Sequence, residues 1–274
     1  MQLVRAIIFS MSLMLFQVGI SQNLTNYSGP YKGGIASYKY YEDKDLNRVL
    51  NGPFKFTYSS NLFNPLRKLQ SISIGNFKDN LKVGIWKYYL IFDDVSLCTS
   101  GNYINNLKDG EWIFEEVQKA TKKVLRKSIV HFKNDILIGP FIFNCSSQYS
   151  YFPHTIYNPS IKGTFDNRGK LDSIWITKVK SKNGILYEDR KEYSNGSLVN
   201  ETFRDPSDGT MVKFKGDLAM FENDMREHGW EPYVNLNNEA ISFWRTWNED
   251  DFLTAYALNP MFYFNRFTDF KLTP

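Results

Sequence analysis

The chain has 274 residues, 42% hydrophobic and 23% charged, with a formal net charge of +4. That is enough apolar material for one large domain or two small ones with a substantial core. The positive excess is slight and the Lys and Arg residues are dispersed among acids, so composition carries no nucleic-acid-binding footprint.

The N-terminus comes first. Met1 to Arg5 carries one positive charge, Ala6 to Ile20 is predominantly apolar, and Gly19-Ile20-Ser21 places small residues before a cleavage point at Gln22. A membrane span needs roughly 20 apolar residues, whereas this shorter run reads as a secretory signal peptide over residues 1–21. The uncleaved anchor is the alternative. The chain is therefore expected to be exported to the periplasm, the cell surface or the medium, with no integral membrane span after cleavage. Export permits a disulfide between Cys98 and Cys145. The two thiols fit equally well as buried apolar side chains.

From Gly29 onward the aromatics fall at regular places. Gly29–Tyr58 reads as a hairpin with a long polar turn at Glu42–Asn47, and it ends in LNGPFKF, which carries Gly52, Phe54 and Phe56. GNFKDNLKVGIWKYY and GNYINNLKDGEWIF then align without a gap. Gly75 falls with Gly101, Phe77 with Tyr103, Asn80 with Asn106, Gly84 with Gly110, Trp86 with Trp112 and Tyr88 with Phe114. The basic run KATKKVLRK, Lys119 to Lys127, reads as a solvated loop or strand edge. A third copy follows, with Val130, Phe132, Asn134, Gly139, Phe141 and Phe143 in the same slots, and it repeats the Gly-Pro-Phe-x-Phe of the first hairpin. Lys162–Thr177 is a fifth hairpin with one extra residue, which sets Phe165 roughly opposite Trp175. Glu192–Phe203 is a sixth.

Alternating apolar residues around short Asn/Asp/Gly/Lys turns are the signal of β-hairpins, and copies in register signal a repeat. If Phe77 faces Trp86 directly, the turn centres on Leu81 and Lys82, Gly75 faces Tyr88 and Asp79 faces Gly84. The aromatics then share one side of the ribbon, and each glycine leaves room for a ring from a neighbouring hairpin. Single hairpins are marginal in water, so the units must stack. The competing architecture is an ordinary β-sandwich. After Phe203 the pattern changes: Asp217–His228 and Asn237–Leu258 have helical spacing, and residues 204–274 are expected to form a part-helical cap.

The unit Gly-x-aromatic-x-x-Asn-x-x-x-Gly-x-Trp-x-aromatic resembles MORN repeats, closest to the bacterial MORN-repeat-variant proteins. Lys39–Phe56 is similar to the first repeat of exported members. The resemblance spans about Gly29–Phe203, strongest in the second and third copies. It implies a mainly β fold, an elongated antiparallel sheet of about five to six stacked hairpins, and an interaction or scaffolding role. Some relatives carry an antitoxin-like label. The motif contains no catalytic residue.

Candidate chemistry is sparse. His131, His154 and His228 lie far apart, without ligand spacing, and His131 should point away from the aromatic face. Cys145 and His154 flank the loop CSSQYSYFPH, where a thiol–imidazole pair would still need an orienting third group. Glu115–Glu116 and Glu249–Asp251 read as solvated turns or helix starts. Asn-x-Ser/Thr sites occur at Asn23, Asn26, Asn144, Asn195 and Asn200. The expectation is an exported protein that is not an enzyme and uses no cofactor or metal. It would bind a protein or cell-envelope component through an exposed face bearing Lys78, Lys87, Ile104 and Lys133. The alternatives are a carbohydrate-binding or glycan-acting protein using Tyr89, Tyr149, Tyr151 and Phe152, and a toxin-immunity partner.

Overall fold

The computed structural model describes residues 23–213, apart from 62–67, 93, 147, 152–153, 181–185, 205–208 and 210. The segment expected to be a signal peptide, residues 1–21, and the candidate helices 217–228 and 237–258 lie outside the described residues. Among those described, every regular element is a strand. In chain order they are β1 (Thr25–Tyr31), β2 (Gly34–Glu42), β3 (Arg48–Asn61), β4 (Lys68–Lys78), β5 (Leu81–Phe92), β6 (Val95–Ile104), β7 (Leu107–Gln118) and β8 (Val124–Lys133). They continue with β9 (Ile136–Cys145), β10 (Gln148–Tyr151), β11 (His154–Phe165), β12 (Leu171–Lys180), β13 (Leu186–Ser194), β14 (Ser197–Arg204) and β15 (Met211–Lys213). All join one antiparallel sheet whose spatial order follows the sequence, except that β9 pairs with β11 and β10 lies off that path. The protein is mainly β, an open sheet of hairpins, and each hairpin expected from the repeats is a paired unit: β2–β3, β4–β5, β6–β7, β8–β9, β11–β12 and β13–β14.

The register departs from the expected one. The turn of the second hairpin is Asp79-Asn80, not Leu81-Lys82, and both residues have positive φ, 51° and 66°. Asn105-Asn106 and Asn134-Asp135 repeat this conformation. Two-residue turns of this hand match the right-handed twist of the strands, and Asn and Asp tolerate the left-handed region through their short polar side chains. Phe77 therefore faces Lys82 rather than Trp86, and the register then jumps from Asn76↔Val83 to Ile74↔Lys87. Gly84, Ile85 and Trp86 stand against Gly75 alone, with Gly84 at φ 68°. The shift is by an even number of residues, so faces are preserved. Phe77 and Trp86 remain on one side, with ring centroids 5.0 Å apart at 81°.

This bulge explains the glycines. Gly84, Gly110 and Gly139, at φ 68°, 76° and 64°, are the bend itself, as is Gly52 at φ 113°. The Gly-Pro-Phe-x-Phe echo is thus a bulge glycine, one residue facing out, then two rings facing in. Gly75 and Gly101 act differently: they floor the tryptophan of their own hairpin, not a ring from the next. A Cβ on Gly75 would lie 2.1 Å from Trp86, and one on Gly101 would lie 2.1 Å from Trp112. Gly163 does the same beneath Trp175, at 2.0 Å. Each indole N–H donates to the carbonyl after its glycine: Trp86 to Asn76 (3.1 Å), Trp112 to Asn102 (3.2 Å), Trp175 to Thr164 (3.2 Å). In each case the register break lies beside that carbonyl. The fourth hairpin replaces the pair together, with Val130 where the glycine stood and Phe141, whose ring has no N–H, where the indole stood.

The result is one buried row crossing successive strands: Tyr38, Phe54, Gly75, Trp86, Gly101, Trp112 and Val130, continued by Phe141, Gly163 and Trp175. Beside it run Phe56, Tyr88, Phe114, Phe143 and Ile161, and nearer the turns Phe77, Tyr103, Phe132 and Phe165. Edge-to-face contacts join neighbouring hairpins, as between Trp86 and Tyr103 (6.2 Å, 85°) and between Trp112 and Phe132 (6.1 Å, 80°). In the second and third hairpins the lysine two residues past the turn covers these rings, and in the fourth the buried Leu137 takes its slot. The Lys82 ammonium stands 5.3 Å from the rings of both Trp86 and Tyr103, and that of Lys108 stands 5.2 Å from Phe132.

A polar clamp runs along the turn edge. Asn106 Oδ1 accepts from the Lys82 N–H (2.6 Å) while its own N–H donates to the Lys82 carbonyl (3.0 Å). Asn80 does the same to Leu50, and Asp135 to Lys108. In the fourth hairpin the repeat slot therefore belongs to Asp135, one residue beyond the Asn134 that sequence alignment picked. The side chain mimics a peptide and extends the ladder one step past the end of the preceding hairpin. Asn106→Ala should cost about 1–2 kcal/mol in urea titration, combining strain at positive φ with an unpaired Lys82 N–H. Asn106→Asp should stay close to wild type, because Asp135 already makes this clamp.

Candidate functional site

Among the described residues nothing covers the side of the sheet opposite the rings, and the N-terminal quarter of this open face forms a hollow of about 780 Å³ across β2 to β5. Strand alternation places its residues: the bulge residues Pro53 and Ile85 face out between glycine and ring, and Lys55, Ile74 and Lys87 face out on three adjacent strands in register. Pro53, Ile74 and Ile85 give an aliphatic floor, with the ring of Tyr89 at one end. Lys39, Lys55 and Lys87 bring three ammonium groups, and no Asp or Glu lines the hollow. Among the described residues, none of these lysines has an ion-pair partner.

The C-terminal end of the sheet is built in the opposite way. The ring row that ends at Trp175 passes next to Lys191 on β13 and then to Glu201 on β14. The Lys191 ammonium sits 3.3 Å from Asp189 and 3.2 Å from Glu201, with all three side chains largely buried. Burial pushes the Asp189 carboxyl up to about 6, against the pull of Lys191 and with help from Glu201. Burial opposes the Lys191 ammonium, but the two carboxylates outweigh it and hold its pKa above the ordinary lysine value. On the other side of β13, Glu188, whose side chain is only 1% exposed, receives Arg190 (2.7 Å), Lys178 (3.2 Å) and Arg204 (3.6 Å). Burial raises its carboxyl, yet the hydrogen bonds and charges of Arg190 and Lys178 leave it below the usual range.

Asp189 gives a prediction with a defined sign. Its folded pKa of about 6 lies above the ordinary aspartate value of 3.8 that applies to the unfolded chain, so the native state holds the proton more tightly between those limits. Stability should fall as pH rises through that window, by on the order of 1 kcal/mol between pH 5 and 7. The lowered carboxylates Asp43, Asp166 and Glu188 titrate below it and work in the other direction. Thermal melts from pH 5 to 7 should show this loss in the wild type and a flatter profile in Asp189→Asn.

The residues picked out by the repeat, from Gly52 and Phe54 through Phe165 and Trp175, all serve the ring face or the bulges. Cys98 and Cys145 are free thiols. Cys98 faces out on β6 and Cys145 faces the rings on β9, three strands away at about 4.8 Å each. That exceeds the Cα separation a disulfide can bridge. Burial pushes the Cys98 thiol up, with Tyr89 hydrogen bonding against it. Lys78, Lys87, Ile104 and Lys133 are exposed on the open face as expected. His131 also faces out, 3.9 Å from Glu111. Tyr149, Tyr151 and His154 lie on the β10–β11 pair. Phe152, His228 and Glu249–Asp251 fall outside the described residues.

Two expectations need correction. Glu115 and Glu116 are not a turn but lie in β7, where Glu115 pairs with Lys127 (2.7 Å) on the open face. Glu116 pairs with Arg126 on the ring face, with both side chains under 10% exposed. The basic run is a turn only as far as Lys123, and its last residues enter β8, an interior strand. The Lys39–Lys55–Lys87 group was missed because its members lie on three different strands. The one available signal was that each faces out beside a ring position.

Comparison with known proteins adds no assignment: no protein-family model matches the chain, and no curated protein matches it in sequence.

Proposed function

We propose that this chain is an exported, non-enzymatic interaction scaffold of MORN-like hairpins that presents its open face to a protein or cell-envelope partner. The observation that carries the reading is the division of labour between the two faces. The repeat residues are spent on packing, while the open face exposes aliphatic side chains that packing does not require. Ile113, Ile129 and Ile142 face out in register on three adjacent strands, and Ile85 and Ile104 on the two strands before them are 57% and 50% exposed. Apolar side chains in an extended exposed array are characteristic of surfaces that are covered by something else. The resemblance of the repeat unit to MORN-variant proteins supports the same reading.

Photo-crosslinking residues at Lys78, Ile104 and Lys133, in cells making the full chain, should capture a common partner identifiable by mass spectrometry. The same group at Lys122, on the β7–β8 turn, should capture far less. Equal capture from all positions, or none from the open face, would overturn the scaffold. A polysaccharide in the captured material would favour the glycan-binding alternative, and a co-purified toxin the immunity alternative.

A further inference from the structure

We infer that the hollow formed by Lys39, Lys55 and Lys87 over Ile74 and Ile85 is a docking site for a short acidic segment of a partner polypeptide, in extended conformation, with aliphatic residues between its carboxylates. The inference rests on the scaffold reading and names the partner's chemistry at one place on that face.

Charge accounts for the acidic character. Elsewhere on the sheet several cations stand beside acids: Lys127 has Glu115, Arg126 has Glu116, Lys178 and Arg190 have Glu188, and Lys191 has Asp189 and Glu201. In this hollow three lysines stand together with no acid in the lining. Lys55 and Lys87 flank Ile74 in register, so their backbones are two strand spacings apart, about 10 Å. Like charges at that range repel, and a ligand bearing carboxylates relieves the repulsion while it binds.

The shape of the charge limits the ligand to something short. The outward row through Lys55 continues, strand by strand, as Ile74, Lys87, Ser100, Ile113, Ile129 and Ile142, and meets its next lysine only at Lys162. A nucleic acid or an acidic polysaccharide repeats its charge along its length and is held by an equally long basic track. Here the basic stretch ends at β5 and gives way to isoleucines. The floor is likewise aliphatic rather than a set of flat rings on which bases or sugars stack. An extended peptide advances about 3.3 Å per residue with side chains alternating. Residues two apart share a face, so carboxylates and aliphatic groups in turn at every second position reach the lysines and Ile74 and Ile85 within a few residues.

The test measures fluorescence anisotropy of a short labelled peptide, Glu-Ser-Val-Ser-Glu-Ser-Val, whose Glu and Val side chains share one face of the extended chain, against the full chain. A Gln/Val peptide that differs only in carrying Gln for Glu, heparin, a single-stranded oligonucleotide and vesicles containing anionic lipid serve as competitors. Binding of the Glu/Val peptide is expected, weakening as ionic strength rises, with the Gln/Val peptide inert. Lys55→Glu/Lys87→Glu should weaken it at least roughly tenfold and should instead bind a Lys/Val peptide. Lys162→Glu, in the same outward row but beyond the hollow, should leave it unchanged. All three positions are solvent-exposed, and unaltered melting temperatures establish that the variants fold.

Failure of the Glu/Val peptide to bind, undiminished binding by the double variant, or stronger competition from heparin, oligonucleotide or vesicles would each overturn the inference. These outcomes are separable from failure of the scaffold reading. A partner crosslinked at Ile104 or Lys133 with the hollow inert would reject the acidic-segment site alone, whereas no capture from any open-face position rejects the scaffold.

Discussion

Gly101→Ala, the addition of one methyl group, should be among the most damaging single changes in the described sheet. The new Cβ would lie 2.1, 2.3 and 2.4 Å from Cδ2, Cε2 and Cγ of Trp112, a side chain with no solvent exposure. A ring system cannot retreat as the tip of a flexible chain can, so the indole must leave its seat. It would lose both its burial and its hydrogen bond to the Asn102 carbonyl. Displacing a buried tryptophan costs about 3–5 kcal/mol, visible as an early midpoint in urea titration and loss of the near-ultraviolet tryptophan signal. The double substitution Gly101→Ala/Trp112→Ala should be less destabilised than the sum of its parts, because without the indole the methyl has space. Gly110→Ala is the contrasting case. Its φ is 76° with nothing within 4 Å of the new Cβ, so only backbone strain of about 1 kcal/mol applies. Equal effects at Gly101 and Gly110 would refute the distinction between floor glycines and bulge glycines.

Glu116→Ala should be of comparable size for a different reason. Glu116 and Arg126 pair on the ring side, with Leu97 and Cys145 directly beside them on the neighbouring strands. Removing the carboxylate leaves the guanidinium in an apolar setting without its buried counter-charge, at a cost of about 3–5 kcal/mol. Replacing both, as Glu116→Leu/Arg126→Leu, should recover most of the loss, because the desolvation penalty of the pair disappears along with its attraction. A double variant as unstable as the single would mean that the pair holds this row together through its hydrogen bonds rather than merely tolerating its own burial. Chemical denaturation of the three variants separates these cases.

Much of the architecture was legible because hairpins are local. Aromatic alternation around an Asn/Asp turn identified six hairpins, though not the tight β1–β2 turn at Lys32-Gly33 inside the first of them, and the gap-free match of Gly75–Tyr88 with Gly101–Phe114 placed the rings on one face. Parity survives small errors in register: the misplaced turn at Leu81-Lys82 and the unforeseen bulge at Gly84 differ from the true arrangement by even steps, so the faces came out right while the partners did not. Direct opposition of Phe77 and Trp86 failed because pattern does not encode where a strand gains residues. Gly84 signals a bulge only once its positive φ is known.

By its own order of residues, this protein determines that it is a run of β-hairpins, which side of each carries the rings, and that Trp appears where a glycine can lie beneath it. These follow from side-chain alternation and from contacts within a hairpin, which a short stretch of chain specifies alone. The pairing of hairpin with hairpin was decided only in three dimensions, and with it the burial of Glu116 against Arg126, the enclosure of Asp189 with Lys191 and Glu201, and the meeting of Lys39, Lys55 and Lys87 over Ile74. Each of these joins residues on different strands, and the environment of a charge depends on which strands become neighbours.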